Sequence, residues 1–242
     1  MCLFTVIPAS VWHLRRSPKI VHGEVQVGSL MREYRMAIPR GMEANQRVPV
    51  IFALHGALDT TDEMADHTGL DQFAQQHQVL VVYLQGRFRN WPPSIPEDNP
   101  DLLEPDFEFV DFMCEFSQRD HQADADRTYI VGVSQGGAMT NAMVVGRSER
   151  FAAAVSVCGW LPEPLGETPL ETKYKCPMLI VVGTADRQVA PENGRAAHDV
   201  FQSAGHPVEW HEIEGFGHGW PKSEEFASLM WDFLARHRRH VP

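Results

Sequence analysis

The 242-residue chain has only four cysteines, at positions 2, 114, 158 and 176, and no two of them stand in a C-x-x-C spacing. They read as buried thiols of a reducing compartment rather than as a disulfide framework or a metal cage. The twelve histidines include no H-E-x-x-H and no other ligand spacing, so no metal is expected. Positive charge is in deficit, with 21 Lys and Arg against 32 Asp and Glu and a net charge of −11. Such a surface does not suit a nucleic-acid partner. The basic cluster Arg236-His237-Arg238-Arg239-His240 falls where it would end a last helix, whose C-terminus favours cations. No apolar run is long enough to span a bilayer. No G-x-G-x-x-G follows the first predicted strand, which argues against a dinucleotide cofactor, and no cofactor is expected. The first ten residues are mildly apolar, but no charge precedes them and Pro8 interrupts them. They make a poor secretion signal, and a cytoplasmic location is the expectation. Repeats, low-complexity tracts and linkers are also missing, so residues 1–242 read as a single domain.

What is present is alternation. Lys19–Val27 and Met31–Ile38 predict an antiparallel hairpin around Gly28-Ser29. Val48–Leu54 is continuously apolar, as a central strand buried on both faces must be. A helix is predicted over Thr61–Gln78, a strand over Val79–Leu84 and a helix over Asp106–Asp120. Strands over Phe151–Val157, Pro177–Val182 and Pro207–Ile213 then alternate with helices over Glu192–Ser203 and Ser223–His237. This is the pattern of a doubly wound, mostly parallel α/β sheet with helices on both faces. The connections 85–105 and 159–175 are proline-rich and predict no long lid helix.

One stretch organises the rest. Tyr129-Ile130-Val131-Gly132-Val133-Ser134-Gln135-Gly136-Gly137 passes from an apolar β-run to a small-residue helical run through a G-x-S-x-G frame. That frame fits a nucleophile elbow, a sharp strand-to-helix turn that lifts a serine hydroxyl off the backbone. A serine hydroxyl is a poor nucleophile until a base takes its proton. His218, on the glycine-rich stretch Gly215–Gly219, is the candidate base, preferred to His211 within a predicted strand. Asp186, just past a predicted strand, can hold the imidazole in its working tautomer. Asp126 competes but precedes the elbow strand, and so belongs to the opposite edge of the sheet. The amides of Ala57 and Gln135 are the candidate oxyanion donors. His55, before Gly56, reads as structural. Trp91, Trp160 and Trp220 all fall at strand ends and are candidates for a substrate-binding wall.

The chain resembles the α/β-hydrolase serine esterases. Ala53-Leu54-His55-Gly56, Asp126-Arg127-Thr128-Tyr129, Gly183-Thr184-Ala185-Asp186 and Gly217-His218-Gly219-Trp220-Pro221 resemble the polyhydroxybutyrate depolymerase-like and feruloyl-esterase-like group. Ser134-Gln135-Gly136-Gly137-Ala138-Met139 and Gly159-Trp160-Leu161-Pro162 resemble the carboxylesterase and acyl-protein thioesterase group. The resemblance implies Ser134, Asp186 and His218 as a triad, with Ala57 and Gln135 as oxyanion donors. It implies a carboxylesterase acting through an acyl-enzyme on a small-molecule ester. A thioesterase or acyl-protein deacylase with the same triad is the alternative, and a non-catalytic hydrolase-fold binding protein is a third reading. An open site with a negatively charged rim, suited to short-chain or hydroxycinnamoyl esters, is expected.

Overall fold

The continuous apolar runs become the middle of a sheet. In the computed structural model, β3 (Val48–Leu54), β4 (Leu80–Leu84), β6 (Ala153–Val157) and β7 (Met178–Gly183) are buried at every residue. β5 (Ala123–Val133) is buried from Thr128 onward. The structure describes residues 17–239 apart from 44, 93, 95–97, 100 and 167–169. The apolar N-terminal stretch, Cys2 and His240 therefore lie outside the described residues.

β1 (Lys19–Val27) and β2 (Leu30–Ile38) form the expected hairpin, closed by Gly28 with φ 56°. β2 then pairs antiparallel with β4, and every later pairing is parallel, including the one that brings in β8 (Val208–Ile213). The eight strands lie in the order β1-β2-β4-β3-β5-β6-β7-β8. Of the two edge strands, β1 alternates between exposed and half-buried residues from Ile20 on, as a strand with one covered face should, and β8 is exposed only at Glu209 and Glu212.

Side-chain alternation sorts the core onto two faces. On one face Phe52, Leu54, Ile130 and Ile180 pack with α3 (Glu104–Asp120), α4 (Gln135–Arg147) and α5 (Pro191–Ser203), through Phe109, Met113, Met139, Met143 and Phe201. On the other, Ile51, Ala53, Val131 and Leu179 meet α1 (Thr61–Thr68), α2 (Leu70–His77) and α6 (Glu224–Ala235), through Met64, Phe73, Met230 and Phe233. Each of these large side chains contributes about 2 kcal/mol by leaving water, and since β3 is apolar on both faces its register is fixed by the fit of Phe52 and Leu54 on one face and Ile51 and Ala53 on the other.

One predicted helix is two. The segment over 61–78 breaks at Gly69, whose φ of 69° ends α1 with its N–H bonded to the Ala65 carbonyl. A capping box opens α1: the Thr60 hydroxyl accepts from the Glu63 amide at 3.2 Å and donates to its carboxylate at 2.9 Å. Elsewhere the element boundaries move by at most two residues, except that the elbow strand β5 begins at Ala123, so Asp126 lies within the N-terminal part of that strand instead of before it. Among the described residues, segment 159–175 holds no helix, segment 85–105 only a short 3₁₀ turn (Arg87–Arg89) before α3 begins, and no helix is long and apolar enough to cross a membrane. The carboxyl ends of β3, β5 and β7 and the loop after β8 thus meet at one uncovered edge.

Candidate active site

Ser134 stands between β5 and α4 with φ 56° and ψ −120°, outside the conformations a serine prefers. The turn is tight enough to dictate its neighbours. A Cβ on Gly132 would stand 2.1 Å from the Gly136 carbonyl oxygen, and one on Gly136 2.1 Å from that of Leu54. Only glycine fits at either position, and the elbow is pinned by the Ser134 amide donating to Val157 at 2.9 Å. The hydroxyl is thereby projected from the N-terminus of α4.

The other two candidates converge on it from separate loops. Asp186 follows β7 in a turn in which its own amide donates to Gly183 and that of Ala185 to Phe216. Its Oδ1 accepts from the Gln188 and Val189 amides at 2.8 and 3.0 Å. Its Oδ2 lies 2.7 Å from His218 Nδ1, and His218 Nε2 lies 2.8 Å from Ser134 Oγ. Burial pushes the Asp186 carboxyl up, but the hydrogen bonds from His218, Val189 and Gln188 outweigh it and hold the group below the ordinary carboxylate range. An ionised carboxylate only accepts, so His218 Nδ1 carries a proton and Nε2 is left to accept from the serine hydroxyl.

Ala57 lies beside Ser134 in the same cleft, and Gln135 is the first residue of α4. Among the described residues neither amide is engaged in the backbone bonds of the surrounding turns, where Leu58 donates to Arg89 and Asp59 to Gly56. The cleft has a volume of about 530 Å3. Its walls include Met64, Val133, Gln188 and Trp220, with Ser134 and His218 at its base.

Two of the three tryptophans do not join that wall. Trp91 is fully buried: its indole N–H donates to the His55 carbonyl at 3.1 Å and its amide to the Gln135 side chain at 2.9 Å. It packs the turn from beneath instead of meeting substrate. Trp160 lines a separate cavity of about 320 Å3 with Asn193, Ala197 and Val200. Trp220 alone of the three faces the cleft. Among the described residues the cleft's lining carries Lys222 and His67 beside the carboxylate of Asp59.

Comparison with known proteins agrees with this architecture. Residues 105–161, from α3 through the elbow to the end of β6, match the prolyl oligopeptidase family. NocK of Nocardia uniformis subsp. tsuyamanensis, named as a candidate esterase, is 32% identical over 167 residues, 67% of this chain and 47% of that protein. Poly(3-hydroxyalkanoate) depolymerase C of Paucimonas lemoignei is 26% identical over 245 residues, covering 76% of this chain and 57% of its own. A thermostable esterase of known structure superposes with a TM-score of 0.68 at 21% identity, over 91% of this chain and 63% of the other. The chain is an α/β-hydrolase. It spans about half the length of the curated relatives it matches.

Within this α/β-hydrolase, His55 has the structural place expected of it. It is fully buried, its Nε2 accepts from the Gly86 amide at 3.0 Å, and its Nδ1 faces the Gly56 carbonyl at 2.6 Å. Burial lowers its pKa, consistent with a neutral ring that bonds the end of β3 to the loop after β4. Cys158 was not singled out in the sequence, yet its thiol reaches the site. Its Sγ, an Asp186 oxygen and a His218 nitrogen all lie within 4.8 Å of one another, the one such group of potential metal ligands among the described residues. Burial pushes this thiol up to about 11, and the Asp186 oxygen is already bonded to His218, so the cluster reads as packing around the acid. Nothing local in the sequence signals that contact, because Cys158 is brought in by the neighbouring strand β6.

Proposed function

We propose that this α/β-hydrolase is a serine carboxylesterase. The observation that carries the reading is the unbroken relay from Asp186 through His218 to Ser134, at 2.7 and 2.8 Å. His218 takes the Ser134 proton as Oγ attacks the ester carbonyl, and the Ala57 and Gln135 amides hold the oxyanion. Collapse of the tetrahedral intermediate expels the alcohol, which leaves with the proton from His218. Water, activated by the same imidazole, then hydrolyses the acyl-serine. Asp186 keeps the imidazole in its Nδ1–H form and stabilises the imidazolium. Short-chain or aromatic acyl groups suit a cleft lined by the flat indole of Trp220 and by Met64 of α1.

The reading is tested by labelling with a fluorophosphonate, expected to modify Ser134 alone, and by a panel of 4-nitrophenyl, methyl hydroxycinnamate and acyl-thioester substrates. Labelling at another serine removes the triad as assigned. Faster turnover of the matched thioester makes the chain a thioesterase with the same machinery.

A further inference from the structure

The residue that follows β6 is strained. Cys158 has φ 50°, directly after Val157 at the strand's end. Left-handed backbone is disfavoured for a residue with a Cβ, and glycine would adopt it freely. The position is nevertheless a cysteine, 2% exposed, its amide donating to the Val181 carbonyl at 2.8 Å. Its side chain therefore supplies something that a glycine would lack.

The thiol faces the back of the relay. It donates to the carbonyl of Gly219, the residue after His218, with Sγ 3.6 Å from the oxygen. Sγ also stands within 4.8 Å of both an Asp186 oxygen and a His218 nitrogen. Burial, the charge of Asp186 and a hydrogen bond to that carboxylate all push the thiol up, against the Gly219 bond, so the group keeps its proton at neutral pH and serves as a donor. Cys158 is not among the residues that line the cleft. Its neighbour Val157 accepts the Ser134 amide at 2.9 Å. Two successive residues at the end of β6 thus hold the elbow and back the acid–base pair.

Asp186 and His218 need such a tie because they ride on separate loops. The Thr184 amide donates to Ile213 at 3.1 Å and that of Ala185 to Phe216 at 2.9 Å. Among the described residues the backbone bonds between the two loops stop at Phe216, two residues short of the imidazole. The Cys158 thiol reaches across just beyond it, at Gly219.

We propose that Cys158 is a positioning residue, whose thiol ties the His218 loop to Asp186 and keeps the imidazole in line with Ser134. This inference rests on the reading of Asp186, His218 and Ser134 as the catalytic relay. No bond to Cys158 forms or breaks in the reaction, so its contribution falls on activation of the serine and not on substrate binding.

The test compares wild type with Cys158→Ala, Cys158→Gly and Cys158→Ser. Alanine removes the thiol and keeps the Cβ. Glycine also relieves the left-handed strain, so a thiol-free chain remains to be measured if the alanine variant folds poorly. Serine leaves a proton donor in place. The readouts are the rate of fluorophosphonate labelling at Ser134, which needs no particular substrate, and kcat and KM on 4-nitrophenyl acetate. Alanine and glycine are each expected to slow labelling and lower kcat roughly tenfold, the scale of one hydrogen bond to a charged group, with KM unchanged. Serine should recover most of that loss. Labelling at the wild-type rate in either thiol-free variant, a loss carried by KM, or a serine variant as slow as alanine overturns the positioning role and leaves the esterase reading in place. A wild-type chain whose Ser134 is not labelled overturns the relay and this inference with it.

Discussion

Two turns at the same edge of the sheet carry non-glycine residues in left-handed backbone, and they are held by different means. At the elbow, Ser134 is fixed by backbone crowding: Gly132, Gly136 and the Leu54 carbonyl approach so closely that no side chain fits among them. In the connection after β4, Phe88 (φ 53°) and Arg89 (φ 62°) are held by side-chain hydrogen bonds, from Asn90 to the Phe88 carbonyl, from Arg87 to Asp106 and from Arg89 to Glu63, and Leu58 (φ 62°) is tied to them by its amide bond to the Arg89 carbonyl. At the first turn the two glycine positions are buried and admit no added volume. The second faces water and tolerates many changes, provided its anchors remain. Strain at the candidate nucleophile is thus built into the main chain, whereas the exposed turn after β4 is held by exchangeable side chains.

The largest effects should sharpen the elbow side of this contrast. Ser134→Ala is expected to lower kcat on the order of a millionfold while leaving the thermal unfolding curve in place. Asp186→Asn should cost on the order of 10⁴-fold in kcat, since the amide no longer enforces the Nδ1–H tautomer. A mild Asp186→Asn together with a crippling Asp126→Asn would assign the acid to the wrong carboxylate.

Gly136→Ala should destabilise by about 3 kcal/mol, because the new methyl meets main-chain carbonyls that cannot swing aside. Chemical denaturation reads this directly, and an unchanged midpoint would break the claim that crowding fixes the elbow. Phe88→Gly should do the reverse, raising stability by up to about 1 kcal/mol as left-handed strain is relieved at an exposed site. A large loss of stability there would mean that the turn after β4, too, is held by packing.

A smaller effect concerns pH. Burial lowers the pKa of His55, His77, His121, His206 and His237. Below the ordinary histidine range the unfolded chain binds protons that these folded rings refuse, so the unfolded state gains as pH falls. The urea midpoint is therefore expected to drop between about pH 7.5 and pH 5, before any carboxylate titrates. A midpoint constant over that interval would show that the rings protonate without leaving their sites.

Much of this was legible from residue order. Val48–Leu54 had to be a central strand because it offers apolar residues to both faces, and G-x-S-x-G between a β-run and a small-residue run marked the turn. The break at Gly69 was missed because the apolar periodicity continues through it into α2, and periodicity does not report which glycine turns left-handed. Trp91 was misplaced for a related reason: a tryptophan at a strand end can face the cleft or the core. Here the His55 carbonyl and the Gln135 side chain, 36 and 44 residues away, turned it inward.

By itself the sequence determined the alternation of strands and helices, the location of the elbow and the identity of three residues able to form a relay. Each of those follows from short-range sterics or from periodicity, which are properties of neighbouring residues. The tertiary structure alone decided that Cys158 lies against Asp186, that Trp220 and not Trp91 faces the cleft, and that Phe88 and Leu58 are left exposed. Those outcomes depend on which loops the strand order 4-3-5-6-7 sets side by side. They also depend on hydrogen bonds between residues tens of positions apart, which no local pattern encodes.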